Sequence, residues 1–230
     1  MRIAVMIAAS ALVAGCSSTA GDGAERSQTA LTAHPTISKT SPTSTGRSTT
    51  TTAAAKPPQA GATITDVIGW IEQGTAADVA AHHTASRAGE TTELGEDVAF
   101  TGPSGTPNCM TDARADGALA CLVDLTDPPP QPADVYGQWK GGWVDFSGPS
   151  VEVGSAHGDP GRFSRGTGAE LPPGQTLAFG DYRCRADTAS VYCVNYAHQS
   201  AVKFDAAGIE TFGCLRPATP PAGIGKQFSC

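Results

Sequence analysis

Large apolar residues fall into three regimes along the chain. Residues 3–13 form one short apolar run (Ile3, Val5, Met6, Ile7, Leu12 and Val13, with alanines between). Residues 17–61 carry almost none beyond Leu31 and Ile37, and from Thr63 onward apolar positions recur with a period. Ile64, Val67, Ile68 and Ile71 stand at i, i+3, i+4 and i+7, which is one face of a helix. Thr63 or Thr65 is placed to cap that helix and Gly74 to stop it. Thr75 is placed to cap a second short helix over Ala76 to His83, so residues 63–85 are expected to be helical. Adjacent residues on a helix point about 100° apart, so His82 and His83 are expected on the surface and not on one metal.

From Glu96 the period shortens to that of strands. Asp97 to Thr101 alternates, Gly102 to Gly105 reads as a turn, and Cys109 to Leu125 reads as a hairpin with a polar tip from Thr111 to Gly117. Asp127-Pro128-Pro129-Pro130 interrupts the pattern, because proline supplies no N–H to a ladder. Gly142 to Phe146 and Val151 to Val153 read as strands, and Gly154 to Gly168 as a long loop. Leu177 to Gly180, Asp181 to Arg185 and Val191 to Tyr196 form a second hairpin region; Ala201 to Asp205 and Ile209 to Phe212 follow, then a Pro/Gly-rich tail ending at Cys230. Strand, turn and cysteine-bearing hairpin recur over Val98–Leu125 and Leu177–Tyr196, a weak internal repeat. The expected fold is mostly β: a small disulfide-stapled antiparallel β-sandwich or barrel-like domain, with one or two short N-terminal helices.

Composition adds location. A single Arg2, a short apolar run and a small-residue exit make an export signal rather than a membrane span, which needs about 20 apolar residues. Leu12-Val13-Ala14-Gly15-Cys16 resembles the bacterial lipobox. That resemblance implies cleavage between Gly15 and Cys16 and a palmitate-type diacylglyceryl anchor on Cys16, and two acyl chains suffice for stable anchoring. Residues 1–15 are then a lipoprotein signal peptide and residues 16–62 a lipidated tether. Residues 63–230 are a globular domain, helical over 63–85 and β over 96–230. The Thr/Ser/Pro/Ala tether cannot bury enough surface to order itself. As a flexible coil it would span roughly 35–40 Å, and its composition suits O-glycosylation as well as a bare spacer.

The chain carries 15 basic and 22 acidic residues, and loss of Arg2 with the signal takes the net charge to about −8. Nucleic acid and anionic headgroups, which need a basic face, are not expected partners. Apart from Cys16 there are six cysteines: Cys109, Cys121, Cys184, Cys193, Cys214 and Cys230. An even set in an exported chain reads as disulfides, and spacing favours the local pairs 109–121, 184–193 and 214–230. No Cys-x-x-Cys and no His at ligand spacing from a Cys supports a metal.

The pattern Phe100-x-x-Pro103-Ser104-Gly105 with Cys109 and Cys121 is followed by Leu171-x-x-Gly174, Gly180-x-x-x-Cys184 and Cys193-x-Asn195. Together they resemble a group of exported actinobacterial proteins, the mycobacterial lipoproteins of the LppI type. One departure is Asn195 to Ala201, where the group has a glycine before an aromatic. The resemblance implies an envelope location and a fold; it carries no catalytic residue.

Chemistry is sparse. There is no Gly-x-Ser-x-Gly, and the turn Gly102-Pro103-Ser104-Gly105 accounts for Ser104. No phosphate-binding glycine loop and no His-Glu-x-x-His occurs, so neither cofactor nor metal is expected. Glu93, Glu96 and Asp97 read as a soluble approach to the first strand. Arg183 and Arg185 flank Cys184 on the opposite face as an exposed recognition pair or ordinary surface charge. The leading expectation is a non-enzymatic membrane-anchored module binding an envelope protein, glycan or lipid, with Trp139, Trp143 or Tyr136 as candidate contacts. The alternatives are a small envelope hydrolase assembled from His82, His157 and Asp159, and a purely structural surface lipoprotein.

Overall fold

The computed structural model describes residues 56–157 and 160–230. Gly15, Cys16, residues 16–55 of the tether and Asp159 lie outside the described residues.

Helix α1 spans Ile64–Glu72. Thr63 caps it, its Oγ1 accepting from Asp66 N at 3.2 Å and donating to the Asp66 carboxylate at 2.7 Å, which satisfies an otherwise orphan helix N–H. Gln73 closes the helix, and Gly74 serves close approach instead: a Cβ there would lie 2.0 Å from Thr176 Oγ1. The second expected helix does not form. Thr75–Ala76 is a short strand, β1; Val79–His82 is one 3-10 turn capped by Asp78; and Thr84–Arg87 (β2) and Glu90–Glu93 (β3) make a small hairpin. A stretch this short is marginal as a helix on its own, and Thr75 and Ala77 find sheet partners, their amides donating to Gly174 and Thr176 carbonyls.

Two antiparallel meanders follow. The first is β4 (Ala99–Thr101), β5 (Asn108–Asp112), β6 (Ala118–Leu122), β7 (Trp139–Phe146) and β8 (Ser150–Ala156). After the 3-10 turn Gly161–Arg165 and the short β9 (Ala169–Glu170), the second is β10 (Gln175–Phe179), β11 (Tyr182–Ala186), β12 (Val191–Asn195), β13 (Ser200–Asp205) and β14 (Gly208–Gly213). The expected Gly154–Gly168 loop is thus shorter, since β8 runs to Ala156. The Pro/Gly-rich tail is itself a hairpin, β15 (Arg216–Ala218) and β16 (Ile224–Ser229), whose second strand adds to β8.

The sheets are six-stranded (β1-β10-β11-β12-β13-β14) and eight-stranded (β15-β16-β8-β7-β6-β5-β4-β9). They are stacked as an open sandwich and do not close into a barrel. The edge strands are exchanged. β1, which precedes the first meander, pairs in parallel with the first strand of the second, and β9, which precedes the second, pairs in parallel with the first strand of the first.

Alternation builds the core. Phe100, Leu119, Val144, Phe146, Val151 and Val153 meet Leu177, Phe179, Val191, Val202 and Phe204 between the sheets. Both in-sheet disulfides sit there: Cys109 opposes Cys121 and Cys184 opposes Cys193 in register, each fully buried. Cys214–Cys230 joins the end of β14 to the end of β16, one sheet to the other. Val67, Trp70 and Ile71 of α1 cover Tyr192, Val194, Ala201 and Phe212 on one outer face. Phe163, Ala85 and Leu94 cover Ala99, Met110, Ala120 and Trp143 on the other. Each Val, Leu, Ile, Met or Phe side chain so buried contributes about 1.5–3 kcal/mol. Domain contacts reach back beyond Thr63, since Tyr192 OH donates to the Pro58 carbonyl at 2.9 Å.

Candidate binding site

Where one end of the sandwich opens, a cleft of about 370 Å³ lies between the β5–β6 turn, the β10–β11 turn and the approach to β4. Its wall includes Glu96, Asp97, Asp116 and Asp181, and its floor includes Phe179 and Tyr182. The two rings stack at 5.6 Å. Tyr182 OH donates to the Phe146 carbonyl across the core at 2.8 Å, and burial pushes its phenol above the usual range. The carboxylates divide by role. Asp97 is buried and holds the approach to β4 in place. Its Oδ1 accepts from Thr111 Oγ1 at 3.1 Å and Ala113 N at 2.6 Å, and its Oδ2 pairs with Arg165 at 3.4 Å. Glu96, Asp116 and Asp181 are exposed, so the cleft presents negative charge above an aromatic floor.

A second cluster lies on the outer face of the eight-stranded sheet. Trp143 donates Nε1–H to Asp145 at 2.9 Å and stacks on His157 at 3.6 Å. Asp145 opposes Glu152 in register. Burial raises the Asp145 carboxyl above the ordinary range; burial and then the facing Asp145 raise Glu152. Burial lowers the His157 imidazole, against the pull of Asp145. Arg162 caps the cluster, donating to the Met110 and Ala118 carbonyls at 3.1 and 2.8 Å. Trp143 is only 3% exposed, so its ring is packed away from solvent.

The residues nominated from sequence scatter. His82 is a correction: it is buried, its Nδ1–H donating to the Ala99 carbonyl at 3.2 Å, and burial lowers its imidazole. It is a satisfied structural histidine because the 3-10 turn folds it under β4. His83 donates likewise to the Asp97 carbonyl at 2.9 Å. His157 stands on Trp143, while Asp159 lies outside the described residues. Ser104 is exposed in the turn Pro103–Gly105. Arg185 is a second correction: it is buried, stacks 4.1 Å over Trp70 and donates to the Trp70 carbonyl, so α1 has consumed it. Arg183 stays half-exposed, 5.6 Å over the Tyr196 ring. Of the aromatic candidates only Tyr136 is free, at 91% exposure; Trp139 donates Nε1–H to the Pro129 carbonyl at 2.9 Å. In the turn between Asn195 and Ala201, Gln199 takes the left-handed conformation (φ 50°).

Sequence reasoning passed over Asp116 and Asp181. Each sits in a hairpin tip that reads as solvated turn, and only the stacking of the sheets brings the tips together. Among the described residues no group of three or more His, Cys, Asp or Glu is arranged to hold a metal ion, and no helix is long and apolar enough to cross a membrane. No family profile, curated protein or solved structure matches this chain.

Proposed function

We propose that this chain is an exported lipoprotein, held by acyl chains on Cys16 to the extracytoplasmic side of the cell membrane, whose stapled sandwich is a non-enzymatic binding module. The observation that carries the binding reading is the end cleft, with its three exposed carboxylates, Glu96, Asp116 and Asp181. Grouped carboxylates attract a cation, so the cleft suits an amine-bearing ligand such as a basic segment of an envelope protein. The hydroxyl–carboxylate pair in its wall, Thr111 and Asp97, is buried and committed to the Val98 and Ala113 amides. Export is supported by the pairing of all six domain cysteines in disulfides, a state that persists in oxidising compartments.

Anchoring is tested by acyl labelling of the wild type and of Cys16→Ala: label and detergent-phase partitioning are expected in the first and absent from the second. Binding is tested by titrating trilysine peptide while following the Gly117 and Gly180 amides. Saturable, salt-sensitive shifts lost in Asp116→Asn/Asp181→Asn are expected. No shift, or turnover of an ester or glycan panel, overturns the reading.

A further inference from the structure

The connection between β6 and β7 is far longer than the chain needs there. It takes residues 123–138, whereas the equivalent connection of the second meander, between β12 and β13, takes residues 196–199. The extra chain is Asp127-Pro128-Pro129-Pro130-Gln131-Pro132 and its continuation to Tyr136. Proline fixes its own φ and holds the residue before it extended, which biases this Pro128–Pro130 strap towards polyproline II.

That strap lies in a trough built for it. Gly141 in β7, Gly154 in β8 and Gly225 in β16 stand side by side without side chains. A Cβ on Gly141 would meet Pro128 at 2.7 Å, one on Gly154 would meet Pro129 at 2.8 Å, and one on Gly225 would meet Pro129 at 2.7 Å. The Trp139 indole forms the wall, donating Nε1–H to the Pro129 carbonyl at 2.9 Å. Pro129 is buried while Pro128 and Pro130 are exposed. Extended proline-rich peptides are recognised in general by aromatic-lined grooves, and here the Trp139 ring supplies both a wall and a donor to the Pro129 carbonyl. Beside the strap lies a cavity of about 190 Å³, lined by Leu125, Ile209 and Phe228 and by the strap's own Asp127 and Pro129. The strap's outer part is held by its own hydrogen bonds, Gln131 to Val135 O and Val135 N to Pro132 O.

We propose that the Trp139–Gly141–Gly154–Gly225 trough is a docking groove for a proline-rich extended segment of a partner protein, occupied in this conformation by the chain's own Pro128–Pro130 strap. The strap shows the ligand chemistry, and it keeps a glycine-bare sheet surface covered until a stronger proline-rich segment displaces it. This groove is separate from the acidic cleft and stands or falls without it.

The test uses the full chain in detergent with Pro128→Gly/Pro129→Ser/Pro130→Gly, which vacates the groove. The probe is a capped synthetic peptide of the sequence Asp127 to Val135. Saturable binding with a shift of the Trp139 indole N–H is expected, at least tenfold tighter than to wild type. Trp139→Phe in that background should weaken it severalfold, and Gly141→Ala, whose new methyl meets only strap atoms, should abolish it. An alanine-for-proline peptide should not bind. A vacated variant that keeps the native Trp70 and Trp143 indole resonances yet ignores the peptide overturns the proposal, as does binding indifferent to Gly141→Ala or to loss of the prolines. Should the vacated variant lose those resonances, the wild type decides. Excess peptide is expected to shift its Trp139 indole N–H and to free the Tyr136 region, and an unmoved Trp139 resonance overturns the proposal.

Discussion

The meander β4–β8 and the meander β10–β14 place equivalent residues along one row of each outer face. Across the first the row runs Ala99, Met110, Ala120, Asp145, Glu152; across the second it runs Thr176, Arg185, Tyr192, Lys203, Glu210. Both carry a buried cross-strand disulfide between their second and third strands, and each receives its parallel edge strand from the leader of the other. The difference lies in what fills the outer row. The second sheet uses large side chains under a nine-residue helix, with Arg185 sandwiched against Trp70 and Lys203 paired to Glu210 at 3.3 Å. The first sets Ala99, Met110 and Ala120 under Phe163, Ala85 and Leu94, places two carboxylates opposite each other, and adds the proline strap. One plan thus yields a half covered by a helix and a half that carries the facing carboxylates and the proline strap.

The largest expected effect tests that difference. Trp70→Ala removes a ring from the α1 face and strips the surface on which Arg185 lies, and should cost about 4–5 kcal/mol, near the top of the range for aromatic truncation. Phe163→Ala removes the corresponding ring from the first sheet and should cost about 3 kcal/mol. Urea unfolding of the two variants measures both, and a Phe163 cost equal to or above that of Trp70 breaks the asymmetry.

Equivalence of the two halves is tested by the staples. Removing Cys109–Cys121 or Cys184–Cys193 by paired alanines should cost about 3 kcal/mol each, with the two costs agreeing within about 1 kcal/mol. Removing Cys214–Cys230 should cost a similar amount by loop closure but should also loosen β15–β16 from β8, read as faster amide exchange of Gln227 and Phe228. Strongly unequal costs for the two in-sheet staples would show that the shared register hides different cores.

The repeated part of this molecule was legible because it rests on local signals. Alternation and turn residues located both hairpins, spacing favoured the three bridges that form, and the 3.6 period located α1, leaving Thr63 and Thr65 as alternative caps of which Thr63 is the one used. What was not legible depends on partners distant in the chain. Thr75–Ala76 reads as a helix start until Gly174 and Thr176 offer it carbonyls. Residues 216–229 read as a tail until β8 offers an edge. Arg185 reads as surface until Trp70 lies over it. The cleft is of the same kind, since Asp116 and Asp181 belong to different meanders. The strap left one local trace: Gly141, Gly154 and Gly225 fall within strands, where a missing side chain marks close backbone approach.

A smaller effect separates the helix from the sheet it covers. Thr63→Ala removes the cap of α1 and should cost about 1 kcal/mol. Because α1 is anchored mainly by Val67, Trp70 and Ile71, the loss should appear as fraying of the first turn in amide exchange, with the Trp70 indole unchanged. A cost approaching that of Trp70→Ala would mean that the helix holds its sheet by its terminus rather than by its face.

The smallest expected effect is a difference of sign between equivalent positions. Glu210 faces a cation, Lys203, and opposite charges across strands are worth about 0.5 kcal/mol, so Glu210→Gln should destabilise by about that amount. Glu152 faces an anion, Asp145, and Glu152→Gln should stabilise by about 0.5 kcal/mol at pH 7. The pH dependence follows from the direction of the Glu152 shift. Burial and Asp145 raise its folded pKa above the unfolded value of 4.5, so the folded state binds the proton more tightly than the unfolded chain does. The ionised carboxylate therefore costs stability above its folded pKa, and the cost fades as pH falls through that pKa and is gone below 4.5. The advantage of Glu152→Gln should accordingly be full at pH 7 and absent near pH 4, measured by urea unfolding across that range. A loss of stability at pH 7 would mean that Gln227 and the Asp145–Arg162 neighbourhood hold Glu152 as a needed anion, and the first sheet would then share the charge logic of the second.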